Sequence, residues 1–253
     1  MNKKYLLLLG CMIAMIPANF AAEYAYTLRW GAPHTRSMII ELETAPQAGS
    51  YTDFKMPVWR PGRYITQDYA GAVSHFEAKA PGGMPLAWKK IDKDTWRVSH
   101  GDLTKLKISY RFYADKLDAG SSYVGEGFIY FNGINLFMYI PGRLNDAATL
   151  RVPDLPAAWK IATSLRRTPG KNEFVAESYH ELVDSPTIFA KEMKQMQFEV
   201  PGATFYVHFF GDYQGNRQTD QGILADLEKM CREQMAVFGG FPEPEFHFIY
   251  FLM

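Results

Sequence analysis

The sequence is short of cysteine, of charge imbalance and of long apolar runs, and each shortage removes a class of protein. Only Cys11 and Cys231 occur in 253 residues. Cys11 falls in the leader described below, so Cys231 has no partner for an internal disulfide, and compactness must come from burial. It reads as a structural cysteine before a nucleophile. Twenty-seven Lys and Arg offset 27 Asp and Glu, with no basic stripe and no acidic tail, which withholds electrostatic support from nucleic acid or a membrane surface as partner. After the first residues no stretch approaches the roughly 18 uninterrupted apolar residues of a membrane-spanning helix. G-x-S-x-G, P-loop and Rossmann glycine patterns are absent, which disposes of the usual hydrolase and nucleotide readings. Also absent is any pair of closely spaced histidines: none of His34, His75, His100, His180, His208 and His247 has another within four residues. A catalytic zinc needs three protein ligands and an open position for water, so the spacing supplies no metal site.

What is present begins with a leader. Lys3 and Lys4 precede an apolar run from Tyr5 to Ile16, then Pro17 and small residues to Ala22; this is a secretory signal peptide over residues 1–22 and predicts export to the periplasm or exterior. Leu8 to Cys11 resembles a lipobox, but the apolar run continues past Cys11 where a lipid-anchored chain would turn polar.

From Tyr24 to about Val200 the chain alternates. Leu106, Ile108, Tyr110 and Phe112 interleave with Lys107, Ser109 and Arg111, the period of a half-buried strand. Tyr26, Leu28 and Trp30, then Met38, Ile40 and Leu42, then Phe54, Met56 and Val58 do the same, with Gly, Pro and Asp turns between. Nearly half the residues are apolar and aromatics are plentiful, enough for one large core. The predicted class is mainly β: an antiparallel β-sandwich over residues 23–200. Residues 201–253 read differently. A strand around Phe205, Val207 and Phe209 precedes a helix capped by Asp220, with Ile223, Leu227, Met230 and Phe238 on one side and Gly239 as its stop. Glu245 to Leu252 is a continuous apolar strand, and a chain ending on it looks cut at the start of a second domain.

The stretch "YHELVDSP", Tyr179 to Pro186, opens like the zinc-peptidase motif H-E-x-x-H. Its fifth position is Asp184, and Pro186 drives the preceding residue out of helical conformation. The expected structure is a turn closing a strand, with His180 and Glu181 in no catalytic role. Other conspicuous residues divide similarly. "WRPGR", Trp59 to Arg63, fits a type II turn with Gly62 at positive φ and Trp59 packed beneath it. Glu126 and Asn132 fall in a Gly-punctuated hairpin, Tyr123 to Gly133. Trp30, Trp59, Trp88, Trp96 and Trp159 suggest core packing before a sugar-stacking face. His208 and His247 fall in strands and receive no role.

Five segments in order, "MPVWRPGRYITQDYAGAV", "WRVSHGDLTKLKISYRFYA", "FNGINLFMY", "YHELVDSP" and "FGGFPEPEFHF", resemble the glycyl aminopeptidase family of zinc metallopeptidases. The resemblance implies an N-terminal β-sandwich followed by a thermolysin-like α+β catalytic domain, of which residues 201–253 carry a short strand-helix-strand fragment. It implies zinc and a peptide substrate in the intact enzyme, with cleavage after N-terminal Gly or Ala. It also places the zinc ligands after the strand that here reads "FHFIYFL". No catalytic, cofactor-binding or metal residue is therefore expected within residues 1–253, and the chain alone is expected to be inactive. The rival expectation is a stand-alone secreted sandwich that binds peptide or glycan. The sequence carries no signal of oligomeric state.

Overall fold

The computed structural model describes residues 23–252; the leader and the Cys11 lipobox lie outside the described residues. Strand is the commonest regular structure among the described residues. The largest sheet has seven, in the order Arg166–Arg167, Glu173–Ala176, Ala148–Arg151, Tyr24–Trp30, Ser37–Thr44, Leu106–Tyr113 and Val73–Lys79. Its pairings are antiparallel except one: Tyr24–Trp30 runs parallel to Ala148–Arg151. The predicted all-antiparallel sheet is thus mixed at its centre, because alternation specifies a strand's faces but not its neighbours.

Opposite this sheet stand two smaller ones. One is Tyr51–Lys55, Thr95–Ser99 and Trp88–Lys90; the other is Lys160–Ala162, Thr187–Ala190, Phe128–Phe131 and Ser122–Gly125. Their inward residues, among them Phe54, Trp96, Phe131 and Phe189, form one core with Leu28, Ile40, Leu42, Ile108 and Phe112 of the large sheet. This is the sandwich that the period-two patterning predicts.

The core is rich in aromatics, and four of them carry a hydroxyl. Tyr26, Tyr110 and Tyr179 are buried, and each donates 2.7 Å to a carbonyl of one extended segment: to Met138, Leu136 and Phe137 respectively. Tyr24 completes the row, accepting from the N–H of Ile140 at 3.0 Å. Tyr110 also accepts from the N–H of Met138 at 3.1 Å. A backbone segment inside a core needs partners for its peptide groups. Here tyrosines of the large sheet and of the helix Tyr179–Val183 supply them, and Tyr139 adds a single antiparallel bridge to Lys55, so Leu136–Ile140 crosses the interior with its peptide groups paired. Burial pushes the Tyr24 phenol up to about 12 and raises those of Tyr26, Tyr110 and Tyr179, so all four remain donors.

A third small sheet holds Lys194–Val200, Ala203–Gly211 and Glu245–Leu252. Lys194–Val200, which the sequence assigns to the sandwich, hydrogen-bonds along its whole length to Ala203–Gly211 instead. Glu245–Leu252 pairs parallel to Ala203–Gly211 through the helix Arg217–Phe238, a strand-helix-strand crossover as expected. The helix starts earlier than predicted. Asn216 is its cap, its Oδ1 accepting from the N–H of Gln218 and Thr219, while Asp220 binds Lys194 and the hydroxyl of Tyr213. Gly239, φ 81°, ends it as expected. The buried stripe runs through Leu224, Leu227 and Cys231, with Ile223 at its margin, whereas Met230 and Phe238 are exposed. Periodicity read over large apolar residues missed Cys231, which lies at the centre of the stripe and rotates it. Among the described residues no helix is long and apolar enough to cross a membrane.

Candidate binding cleft

A concavity of about 1080 Å³ opens where the sandwich meets the approach to the strand Glu245–Leu252. One wall is "YHELVDSP". Contrary to expectation, Tyr179–Val183 is a single turn of helix. Ser178 caps it by accepting from the N–H of Glu181 at 3.1 Å, and the Glu181 carboxylate returns to accept from the N–H of Glu177 at 2.5 Å. This reciprocal arrangement is a variant of the capping box, and it nucleates helix where the following proline argues only for a stop. The stop is also there: the N–H of Asp184 closes on the carbonyl of His180, and the helix ends before Pro186.

Glu181 is therefore committed to a helix start, and the turn is too short to carry a second ligand one turn on. His180, Glu181 and Asp184 share the cleft wall, but no other histidine joins them. Among the described residues no three of His, Cys, Asp or Glu converge on a point a metal ion could occupy. The residues present do not fit the zinc that the family resemblance implies, since a catalytic zinc needs three protein donors.

The floor is polar. Ser164 donates to Ser185 at 2.9 Å, and Ser185 donates to the carbonyl of Glu181 at 2.7 Å. Neither hydroxyl bonds a histidine or carboxylate, so neither has the base that activates a nucleophile. Arg60 enters from the WRPGR turn. Gly62 has φ 79° and the Arg63 N–H reaches the Arg60 carbonyl, as a type II turn requires. The Arg60 guanidinium lies against Gly120, where an added Cβ would clash with it. Trp59 departs from expectation: it stands 48% exposed beside the turn instead of beneath it. Arg166 and Arg167 add positive charge to the rim. Arg166 lies 3.7 Å from Glu177, and Glu243 and Glu245 face the cleft from the other wall. Cations and carboxylates around a hydroxyl floor suit a ligand with both charges, held by charge-assisted hydrogen bonds.

The remaining marked residues resolve structurally. Asn132 also lines the cleft, but its amide caps the short helix Gly133–Leu136 and donates to the carbonyl of Ala119. Glu126 is exposed in the hairpin of Ser122–Gly125 and Phe128–Phe131. Trp30 stacks on Trp159, while Trp88 and Trp96 both pack on Phe76, so the tryptophans make no continuous face. Cys231 is buried, and burial raises its thiol pKa, as a structural cysteine should be. His208 and His247 come within hydrogen-bonding distance of each other. Local spacing misses that pair, and only the parallel register of the two strands makes it.

The fold is shared with a known structure. It superposes on the crystal structure of an aminopeptidase N family protein from Idiomarina loihiensis with a TM-score of 0.81 over 91% of the chain, at 24% identity. The chain spans 39% of the length of that protein. No curated protein matches it. Residues 25–191, more than half of the chain, match the model of the Peptidase M61 N-terminal domain. These residues hold the sandwich and stop just short of the third small sheet, and the chain belongs to that family.

Proposed function

We propose that the chain is the non-catalytic N-terminal portion of an exported zinc metallo-aminopeptidase of glycyl aminopeptidase type, which removes N-terminal Gly or Ala from peptides, and that it does not hydrolyse peptides by itself. One observation carries the reading. A family domain named for a peptidase joins a cleft whose acidic and imidazole groups are scattered or committed to helix capping. Export is supported by the leader pattern of residues 1–22 alone. In the intact enzyme the chemistry would be carbonyl polarisation and water activation by zinc. This chain's residues contribute walls and charge.

The test is an assay of the purified chain, with and without added zinc, on Gly and Ala arylamides and dipeptides. The expected result is release no faster than in buffer. Turnover that disappears with a chelator and returns with zinc would refute the proposal.

A second reading rests on the cleft itself: a sandwich module that binds peptide or glycan without cleaving it. Calorimetric titration separates the two ligand classes. Saturable binding of short peptides that is weakened by Arg60→Ala supports peptide recognition, and binding of oligosaccharides but not peptides would replace it.

A further inference from the structure

The strands Ala203–Gly211 and Glu245–Leu252 have two unlike faces. Phe205, Val207, Phe209, Phe246 and Phe248 turn toward the crossover helix. Phe210 and Phe251 rest instead on the sandwich, with ring centroids 4.2 Å from Phe128 and 5.0 Å from Tyr130. Period two places His208 and His247 on this second face, in the seam. They are 39 residues apart in sequence, yet Nε2 of His208 lies 3.0 Å from Nδ1 of His247, and the rings are parallel to within 2°.

The protons in this seam can be assigned from its partners. Gln195, on the strand Lys194–Val200, sets its amide nitrogen 3.1 Å from the carbonyl of Ile161 and 3.2 Å from Nδ1 of His208. A carbonyl only accepts, so the amide nitrogen, with two hydrogens, belongs on this side of Gln195. Nδ1 of His208 is then an acceptor and its Nε2 carries the proton, which points at Nδ1 of His247. His247 must carry its own proton on Nε2, a buried atom with no acceptor. The result is a row of hydrogen bonds donated outward from Gln195, to the sandwich carbonyl on one side and through His208 to His247 on the other, complete only while both imidazoles are neutral.

A further proton has nowhere favourable to go. On Nδ1 of His208 it faces the Gln195 amide hydrogens; on Nδ1 of His247 it faces the Nε2–H of His208. Either way a hydrogen bond becomes two opposed N–H groups. The surroundings offer no compensation. Gln195 and Gln197 face the pair from Lys194–Val200, Tyr206 stacks on His247, and the Lys160 ammonium beside Ile161 is held by the carbonyl of Met193. Ile188 and Ala190 of Thr187–Ala190 lie in the apolar cluster of the seam, and Glu245 is exposed at its cleft end. Burial holds both rings near pKa 4, with His247 adding to the effect on His208.

We propose that His208 and His247 form an acid-operated latch inside the third sheet, linked to the sandwich through Gln195 and the apolar seam, closed when both rings are neutral and released when either is protonated. A histidine whose folded pKa lies below its ordinary value of about 6.5 stabilises the closed seam fully above that value. The stabilisation is lost as pH falls toward 4, and the opening constant rises about tenfold per pH unit for each ring.

Hydrogen exchange on the full chain between pH 7 and 4, corrected for intrinsic rates, tests this. Protection of residues 194–211 and 245–252 should fall tenfold or more per pH unit while residues 24–44 and 106–113 stay protected. The variant His247→Asn, uncharged at that position at every pH, should remove one ring's share of that dependence and leave no more than the tenfold per pH unit of His208. If that variant does not fold, imidazole nitrogen NMR of the native chain decides alone. It should report His208 and His247 both protonated on Nε2 and neutral at pH 6. Titration of either ring near pH 6, loss of protection in both regions at the same pH, or undiminished protection down to pH 4 would each overturn the latch.

Discussion

Removing one oxygen atom from the core tests whether hydroxyl-to-backbone contacts hold the interior segment in place. Tyr110 is 1% exposed, and its hydroxyl serves two backbone groups at once, donating to the Leu136 carbonyl and accepting from the Met138 N–H. Tyr110→Phe keeps the ring, its packing and almost all of its volume, so no cavity of consequence is made. It leaves one C=O and one N–H buried without partners. Each such loss costs about 1–3 kcal/mol, so the pair should destabilise by about 2–6 kcal/mol. In a domain of this size that lowers Tm by about 4–24 °C. Chemical denaturation followed by tryptophan fluorescence gives the free energy, and scanning calorimetry gives Tm. The control is Tyr64→Phe at a residue 88% exposed, which should change stability by less than about 0.5 kcal/mol. If both variants fall within that margin, the segment Leu136–Ile140 is held by packing and the Lys55–Tyr139 bridge, and the hydroxyl row is incidental.

Other substitutions probe the cleft and its supports. Gly62→Ala forces a side chain into the left-handed region at φ 79° and should cost about 1–2 kcal/mol in thermal denaturation; no loss would mean the turn relaxes to another form. Ser178→Ala removes the cap of the short helix and should cost about 1 kcal/mol, read the same way, with the His180 wall loosened in hydrogen exchange. Zinc at a hundredfold excess over a specific site's Kd would add about 2.7 kcal/mol of stability, so an unmoved Tm on zinc addition is the expected outcome and a clear rise contradicts the absence of a ligand cluster. Cys231 should resist alkylation in the native state and react readily in denaturant, as peptide mapping by mass spectrometry will report; rapid native labelling would place it outside the buried stripe.

The strands were legible because each carries a face. Leu106 to Phe112 alternates, and the structure buries those residues and leaves Lys107 and Arg111 outside the core. Partnership was not legible. Nothing local in Tyr24–Trp30 says that its neighbour is Ala148–Arg151, and nothing local in Lys194–Val200 says that it joins the third small sheet. The helix at Tyr179 was missed because Pro186 gives a strong stop signal, while the start signal, Ser178 with Glu181, looks ordinary until both ends are satisfied together. The cleft was invisible for the same reason as the histidine pair. Arg60, Ser164, Ser185 and Glu243 are scattered through the sequence, and their meeting is a property of the sheets that carry them. The absence of closely spaced histidines, in contrast, is a plain fact of the letters.

The parallel pairing at the heart of the seven-stranded sheet has a consequence for the order of events during synthesis. Tyr24, among the first described residues, must wait for Ala148 before its strand is flanked on both sides. Until then the nascent chain can assemble only the Ser37–Thr44 side, with Leu106–Tyr113 added next. Contacts between residues so far apart form late and slowly. A ribosome that makes this polypeptide in order therefore hands over a half-built layer, whose unclaimed edge must stay open for more than a hundred residues of elongation.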